Sequence, residues 1–143
     1  YITIENINKT MSHKSKGINA EREVIHMFWN TNEWTACRVA GSGAIKYPVP
    51  DIIAGNQTRK LAIECKATAS EYQYLEISAV QDLEEYARKF NAEPWIAIKF
   101  DRQEWRFIQP KNLKLTEKNY AATRTSLEQN GTKFETLISK KAE

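Results

Sequence analysis

The chain has 143 residues, 41% of them hydrophobic and 27% charged, with a formal net charge of +3. That profile fits one ordinary soluble domain and excludes a disordered or fibrous chain. No run approaches the roughly 18 consecutive apolar residues of a membrane span, and no secretory signal precedes the first predicted helix. The two cysteines, Cys37 and Cys65, lack CxxC spacing and are expected as buried thiols of a reducing interior, not as a disulfide or zinc site. The expected location is therefore cytoplasmic.

Residues 1–18 are polar and carry no sustained period, so they are read as a flexible basic N-terminal arm, with residues 19–143 as the working domain. Between Lys9 and Ala20 lie three lysines (Lys9, Lys14 and Lys16) and His13, with no acid. Met11 is a candidate natural start. A helix is expected from Asn19, its N-cap, to Asn30, with Ala20, Val24, Ile25 and Phe28 as its apolar stripe. Glu21 falls on that same stripe. A lone acid there would bend out to water; the acids described below favour a ligand instead.

Thr35 to Ala40 reads as a strand carrying Arg38. The loop from Gly41 to Pro50 is expected to be mobile, with Ser42 and Lys46 in it and two prolines stiffening its return. Its spacing matches no nucleotide-binding fingerprint. Next come the strand Asp51–Ala54, a turn at Gly55-Asn56 and a strand over Lys60–Lys66. A polar loop over 68–73 and a short extension at Tyr74–Ile77 follow. Ser78 with Gln81 suggests a capping box opening a second helix, whose apolar face holds Ala79, Leu83, Tyr86, Ala87 and Phe90. Strands are expected at Pro94–Phe100 and Trp105–Ile108, with Lys99 pointing to the side of Trp95 and Ala97. The tail is weaker: a loose edge strand over Tyr120–Thr125, then a capping box at Thr132 and Glu135 opening a helix to Ile138. This order implies an α/β domain with one central mixed sheet flanked by helices.

The chemistry concentrates between Pro50 and Lys66. Leu61, Ile63 and Cys65 share one face of their strand, while Ala62, Glu64 and Lys66 share the other. Pairing with the preceding strand brings Asp51 beside Glu64 and Lys66. Two acids on an apolar sheet are costly unless a cation offsets them. Glu21, Asp51, Glu64 and the backbone carbonyl of Cys65 offer hard oxygen ligands suited to Mg²⁺, for which Mn²⁺ would substitute. Lys66 would sit near an activated water. A plain structural ion pair between Glu64 and Lys66 is the bland alternative.

Pro50-Asp51, twelve residues, then Glu64-x-Lys66 resembles the PD-(D/E)xK nuclease motif. The wider text, from Lys16-Gly17 and Ala20-Glu21-Arg22-Glu23 through Arg38 to Gly43, Pro50 to Asn56, Ala62 to Lys66, Phe90 to Trp95 and Trp105 to Ile108, closely resembles the archaeal-type Holliday junction resolvases. The resemblance covers about residues 14–110. It implies a single-domain restriction-endonuclease-like fold and a homodimeric, Mg²⁺-dependent endonuclease that resolves four-way DNA junctions by paired nicks. Carried over by motif position, it makes Glu21, Asp51 and Glu64 metal ligands and Lys66 the catalytic lysine. Ser42 matches a catalytic serine of the mobile loop, and Arg22, Arg38 and Lys99 match basic DNA-facing positions. Lys14, Lys16 and Lys46 are further expected DNA contacts, and Tyr86 with Phe90 aligns with the dimer surface. A two-fold dimer suits a substrate of near two-fold symmetry, and no base-reading recognition helix is evident. No sliding clamp or helicase partner is readable from the sequence. The alternatives are another PD-(D/E)xK nuclease, nicking or restriction-like, on plain duplex, or a non-catalytic module binding DNA structure.

Overall fold

The computed structural model of the chain describes residues 4–41 and 46–141, with side chains described from Gly17 onward. Helix α1 (Ile4–Trp29) leads into strands β1 (Thr35–Arg38), β2 (Ile52–Gly55) and the long β3 (Lys60–Thr68). Strand β4 (Tyr72–Glu76) precedes helix α2 (Ile77–Phe90), which is followed by β5 (Glu93–Phe100) and β6 (Arg106–Ile108). After a short helical turn at Pro110–Asn112 come β7 (Lys114–Leu115), β8 (Asn119–Thr123), α3 (Arg124–Asn130), β9 (Thr132–Lys133) and α4 (Phe134–Ser139).

The main sheet has the strand order β1-β2-β3-β5-β6-β9. Only β3 and β5 run parallel; the other neighbours are antiparallel, so the sheet is mixed, as expected. A parallel neighbour needs a crossover, and β4 with α2 supplies it. The alternation along β3 sorts its side chains between two cores. Leu61 and Ile63, with Trp95 and Ala97 of β5, pack under Ala20, Val24 and Phe28 of α1 and Leu137 of α4. Ala62, with Ile96 and Ile98, packs under Val80, Leu83 and Ala87 of α2. A second, three-stranded sheet of order β4-β8-β7 closes that side through Leu75 and Ala122.

Several local expectations differ from the structure. Helix α1 starts at Ile4, not at Asn19, so the stretch expected as an arm is helical from Ile4 onward and Asn19 caps nothing. Gly17 is the one strong helix-weakening residue there, at about 1 kcal/mol, and a long helix absorbs that. Helix α2 begins one residue before Ser78 with no side-chain cap, and α4 likewise has none at Lys133. The capping box that does form joins Thr123 and Ser126 at the head of α3, a helix that periodicity did not reveal. Strand β8, expected at an edge, lies between β4 and β7. Cys37 is exposed instead of buried, and both cysteines are free thiols. Gly41 adopts φ 72°, in the left-handed region, which accounts for a glycine as the chain leaves β1.

Candidate active site

A cleft opens where the sheet changes width. Strand β2 pairs with β3 only from Ile52 opposite Ile63 to Gly55 opposite Lys60, whereas β3 continues beside β5 to Thr68 opposite Phe100. From Glu64 onward, β3 has outrun its β2 neighbour. Asp51, the residue before β2, sits at that step. Its backbone N–H donates to the carbonyl of Ile63 at 3.1 Å, and its Oδ2 accepts the N–H of Cys65 at 2.9 Å. The N–H and C=O of one strand residue point to the same side, so the Cys65 carbonyl faces this open edge too.

Glu64 and Lys66 project from the same face of β3, with Lys66 Nζ 3.7 Å from Glu64 Oε1. The Glu64 carboxyl is pushed up to about 8, first by burial and then by the charge of Asp51. Lys66 pulls the other way but is outweighed, and a hydrogen bond to Asp51 adds to the rise. The two carboxyls therefore crowd one point that lacks enough positive charge. Glu21 reaches the same cleft from α1, because its neighbours Ala20 and Val24 anchor the helix on the sheet. Burial raises its carboxyl as well, although Arg38 Nε donates to its Oε2 at 2.6 Å. The cleft measures about 550 Å³ and is lined by Gly17, Ala20, Glu21, Asp51, Glu64, Lys66 and the segment from Ala67 to Ser70.

Among the described residues, no three His, Cys, Asp or Glu side chains are grouped so as to hold a metal ion. Asp51 and Glu64 meet directly, while Glu21 is drawn to Arg38. Two carboxylates and a carbonyl nevertheless fit a hard divalent cation, which takes its remaining ligands from water and substrate phosphate. The Cys65 thiol is a soft donor, a poor match for a hard cation, and burial pushes its titration well up.

A family described as archaeal Holliday junction resolvase (Hjc) matches residues 12–143. The chain belongs to this family. Crossover junction endodeoxyribonuclease Hjc of Archaeoglobus fulgidus is 43% identical over 107 residues, which span 75% of this chain and 78% of that protein. Crossover junction endodeoxyribonuclease Hje of Saccharolobus islandicus is 35% identical over 98 residues, spanning 66% and 72%. The solved structure of Archaeoglobus fulgidus Hjc, a Holliday junction resolvase from an archaeal hyperthermophile, superposes with a TM-score of 0.77 at 36% identity. That superposition covers 82% of this chain and 94% of the other.

The remaining residues singled out in this resolvase fall into distinct places. Arg22 is exposed on α1 beside Glu21, and Lys46 is exposed just ahead of Asp51. Lys99 stands opposite Ala67 in register, and its Nζ donates to Glu23 at 2.8 Å. Glu23 also accepts from Trp105 Nε1 at 3.0 Å, and the Lys99 bond holds its carboxyl below the usual range. Lys99 is thus engaged by a carboxylate of its own. Ser42 lies outside the described residues; Lys14 and Lys16 lie in α1, but their side chains lie outside them as well. Tyr86 and Phe90 pack ring to ring on α2, with centroids 5.6 Å apart, and Phe90 is 41% exposed. Lys60 covers that ring from 4.5 Å and donates to the Phe90 carbonyl at 2.8 Å.

Sequence reasoning overlooked Gly17 and Ala20 as cleft wall, and read the stretch after Lys66 as a plain connection. Two small residues one helical turn apart, just before an acid on a core stripe, were the available signal. No helix among the described residues is long and apolar enough to cross a membrane.

Proposed function

We propose that this resolvase cuts four-way DNA junctions by hydrolysing phosphodiester bonds at a divalent cation held by Asp51, Glu64 and the Cys65 carbonyl. Mg²⁺ is the natural candidate and Mn²⁺ its substitute, because all these donors are hard oxygens. Glu21, across the same cleft, is the further ligand. The single observation that carries the reading is the convergence of Asp51, Glu64, Glu21 and Lys66 on one cleft, where burial and the Asp51 charge push the Glu64 carboxyl up. A site that holds two carboxyls so close is relieved by a cation.

A cation there supplies a more acidic water and positive charge against the phosphate oxygens. The chain's own residues do the rest. Asp51, fixed by the Cys65 N–H, sets one ligand at the sheet step. Lys66, loosely paired with Glu64, is free to turn its ammonium towards the attacking water or the phosphate, orienting the first and offsetting charge on the second. Arg22 and Lys46 are exposed, as is Arg38 beside Glu21, and all three are proposed to meet phosphates, giving salt-sensitive and sequence-tolerant binding. Lys14 and Lys16 are proposed contacts as part of the basic, acid-free stretch ahead of Ala20, and Ser42 by its motif position. Lys99 is a weaker one, since Glu23 already occupies it.

The working unit is proposed to be a homodimer built on Tyr86 and Phe90. A half-exposed aromatic pair on an otherwise charged helix suits a subunit contact, and two identical sites match two opposed strands. The domain is proposed to comprise residues 19–143, with the stretch before it serving DNA.

The deciding experiment is Mg²⁺-dependent cleavage of a labelled synthetic four-way junction beside its component duplexes. Symmetric nicks on the junction, with the duplexes intact, are expected. Equal cutting of plain duplex would replace the reading with a general nuclease.

A further inference from the structure

The Arg38–Glu21 pair leaves one of the three acids committed to a cation of the protein's own. Arg38 ends β1, and the next N–H, that of Val39, donates to the carbonyl of Asp51 at 2.8 Å. The guanidinium is thereby carried on the strand that flanks the acid site. It is also the outer partner: the Arg38 side chain is 38% exposed, against 15% for Glu21. Among the described residues, its Nε contact of 2.6 Å is the hydrogen bond that ties it to the cleft. A guanidinium has five N–H donors in a planar fork, and that fork matches a phosphate at least as well as a carboxylate.

We infer that Arg38 is a positioning residue that holds Glu21 while the protein is free and exchanges it for a phosphate of the junction, thereby coupling metal binding to DNA binding. The inference rests on the metal site proposed above. Arriving phosphate competes with Glu21 for the fork. Once the fork leaves, Glu21 faces Asp51 and Glu64 without its counter-charge, and the cleft then gains a third carboxylate for a cation. The free protein accordingly binds metal with two carboxylates, and the DNA complex binds it with three. By reciprocity, metal must tighten junction binding by the same factor that the junction tightens metal binding.

The test is calorimetric titration of the intact protein with Ca²⁺, a hard cation read here by binding alone, across the variants Arg38→Gln, Glu21→Gln and their double. Arg38→Gln is expected to tighten Ca²⁺ binding by about fivefold or more, within the usual range of such couplings. That gain is expected to vanish in the Glu21→Gln background, because it acts through Glu21. Junction affinity, measured at matched ionic strength with and without Ca²⁺, is expected to rise by a similar factor in the wild type and by less than twofold in Arg38→Gln. Unchanged Ca²⁺ affinity in Arg38→Gln would overturn the exchange. So would a gain that survives in the double variant, since that is simple removal of a positive charge. A Glu64→Gln protein that keeps wild-type Ca²⁺ affinity would instead overturn the metal site itself, and the exchange with it.

Discussion

Cys65 gives its backbone N–H to Oδ2 of Asp51 at 2.9 Å, and that one bond sets the acid at the step where β3 outruns β2. A strand that keeps its neighbour has no N–H to spare for a side chain. The early end of β2 frees this one, and the same gap exposes Glu64, Lys66 and the Cys65 carbonyl to the cleft. The geometry of the candidate site is thus a consequence of unequal strand lengths.

Lys66 is expected to act in the chemical step more than in binding. Lys66→Ala should slow single-turnover cleavage by roughly 10², the lower range for a positioned acid–base group, while junction affinity stays within about threefold. A variant that loses affinity and rate in equal measure would make Lys66 a mere phosphate contact.

The Glu64 carboxyl gives a pH signature with a definite sign. Its ordinary value is 4.5, and in the folded protein it rises to about 8 through burial and the Asp51 charge. Between those values the folded state keeps a proton that the unfolded state has lost, so stability falls as pH rises. The metal-free protein is therefore expected to melt at progressively lower temperature from about pH 5 to 8, and Glu64→Gln to flatten that slope. Since a cation must displace the proton, cleavage at limiting metal should rise across the same window. A wild-type melting profile parallel to that of Glu64→Gln would refute the buried carboxyl pair.

How much of this was legible in the sequence follows the range of the interactions. Alternation along β3 named both faces correctly, because each side chain's direction is set by its own strand. The sequence pattern also singled out Glu21, Asp51, Glu64 and Lys66 as one group, and all four line one cleft. Glu21's engagement by Arg38 was not legible, since a helix and a strand meet there by packing. Nor was the small sheet: Tyr72 to Glu76 finds its partner at Asn119 to Thr123, far along the chain. Helix α3 is only seven residues long, too short for a periodic signal.

Arg59 illustrates the same limit on the structural side. Its side chain is 1% exposed and forks onto Glu93, Nε to Oε2 at 2.8 Å and Nη2 to Oε1 at 2.9 Å. Nη1 donates to the carbonyls of Leu137 at 2.6 Å and Lys140 at 3.0 Å, tying the end of α4 to the sheet. Removing one partner of such a buried pair typically costs about 3–5 kcal/mol. Arg59→Ala is expected to lose that much in chemical denaturation while cleavage per folded molecule is unchanged. A loss below about 1 kcal/mol would show that the clamp carries little.

The proposed dimer is tested at Phe90. Phe90→Glu places a charge on the aromatic face and should give a folded monomer by sedimentation, with nicks on the two strands no longer paired in time. A wild-type protein that sediments at 16.5 kDa when free and binds the junction as a single copy would remove the dimer from the account.

The central claim, that Asp51 and Glu64 hold the cation that cuts the junction, is met most directly by single-turnover cleavage of a four-way junction by Glu64→Ala in saturating Mg²⁺. The account predicts cleavage at least about 10³-fold below wild type, as for removal of a group that supports transition-state charge, with junction affinity, compared in the absence of metal, kept within about threefold. Cleavage at the wild-type rate would contradict it.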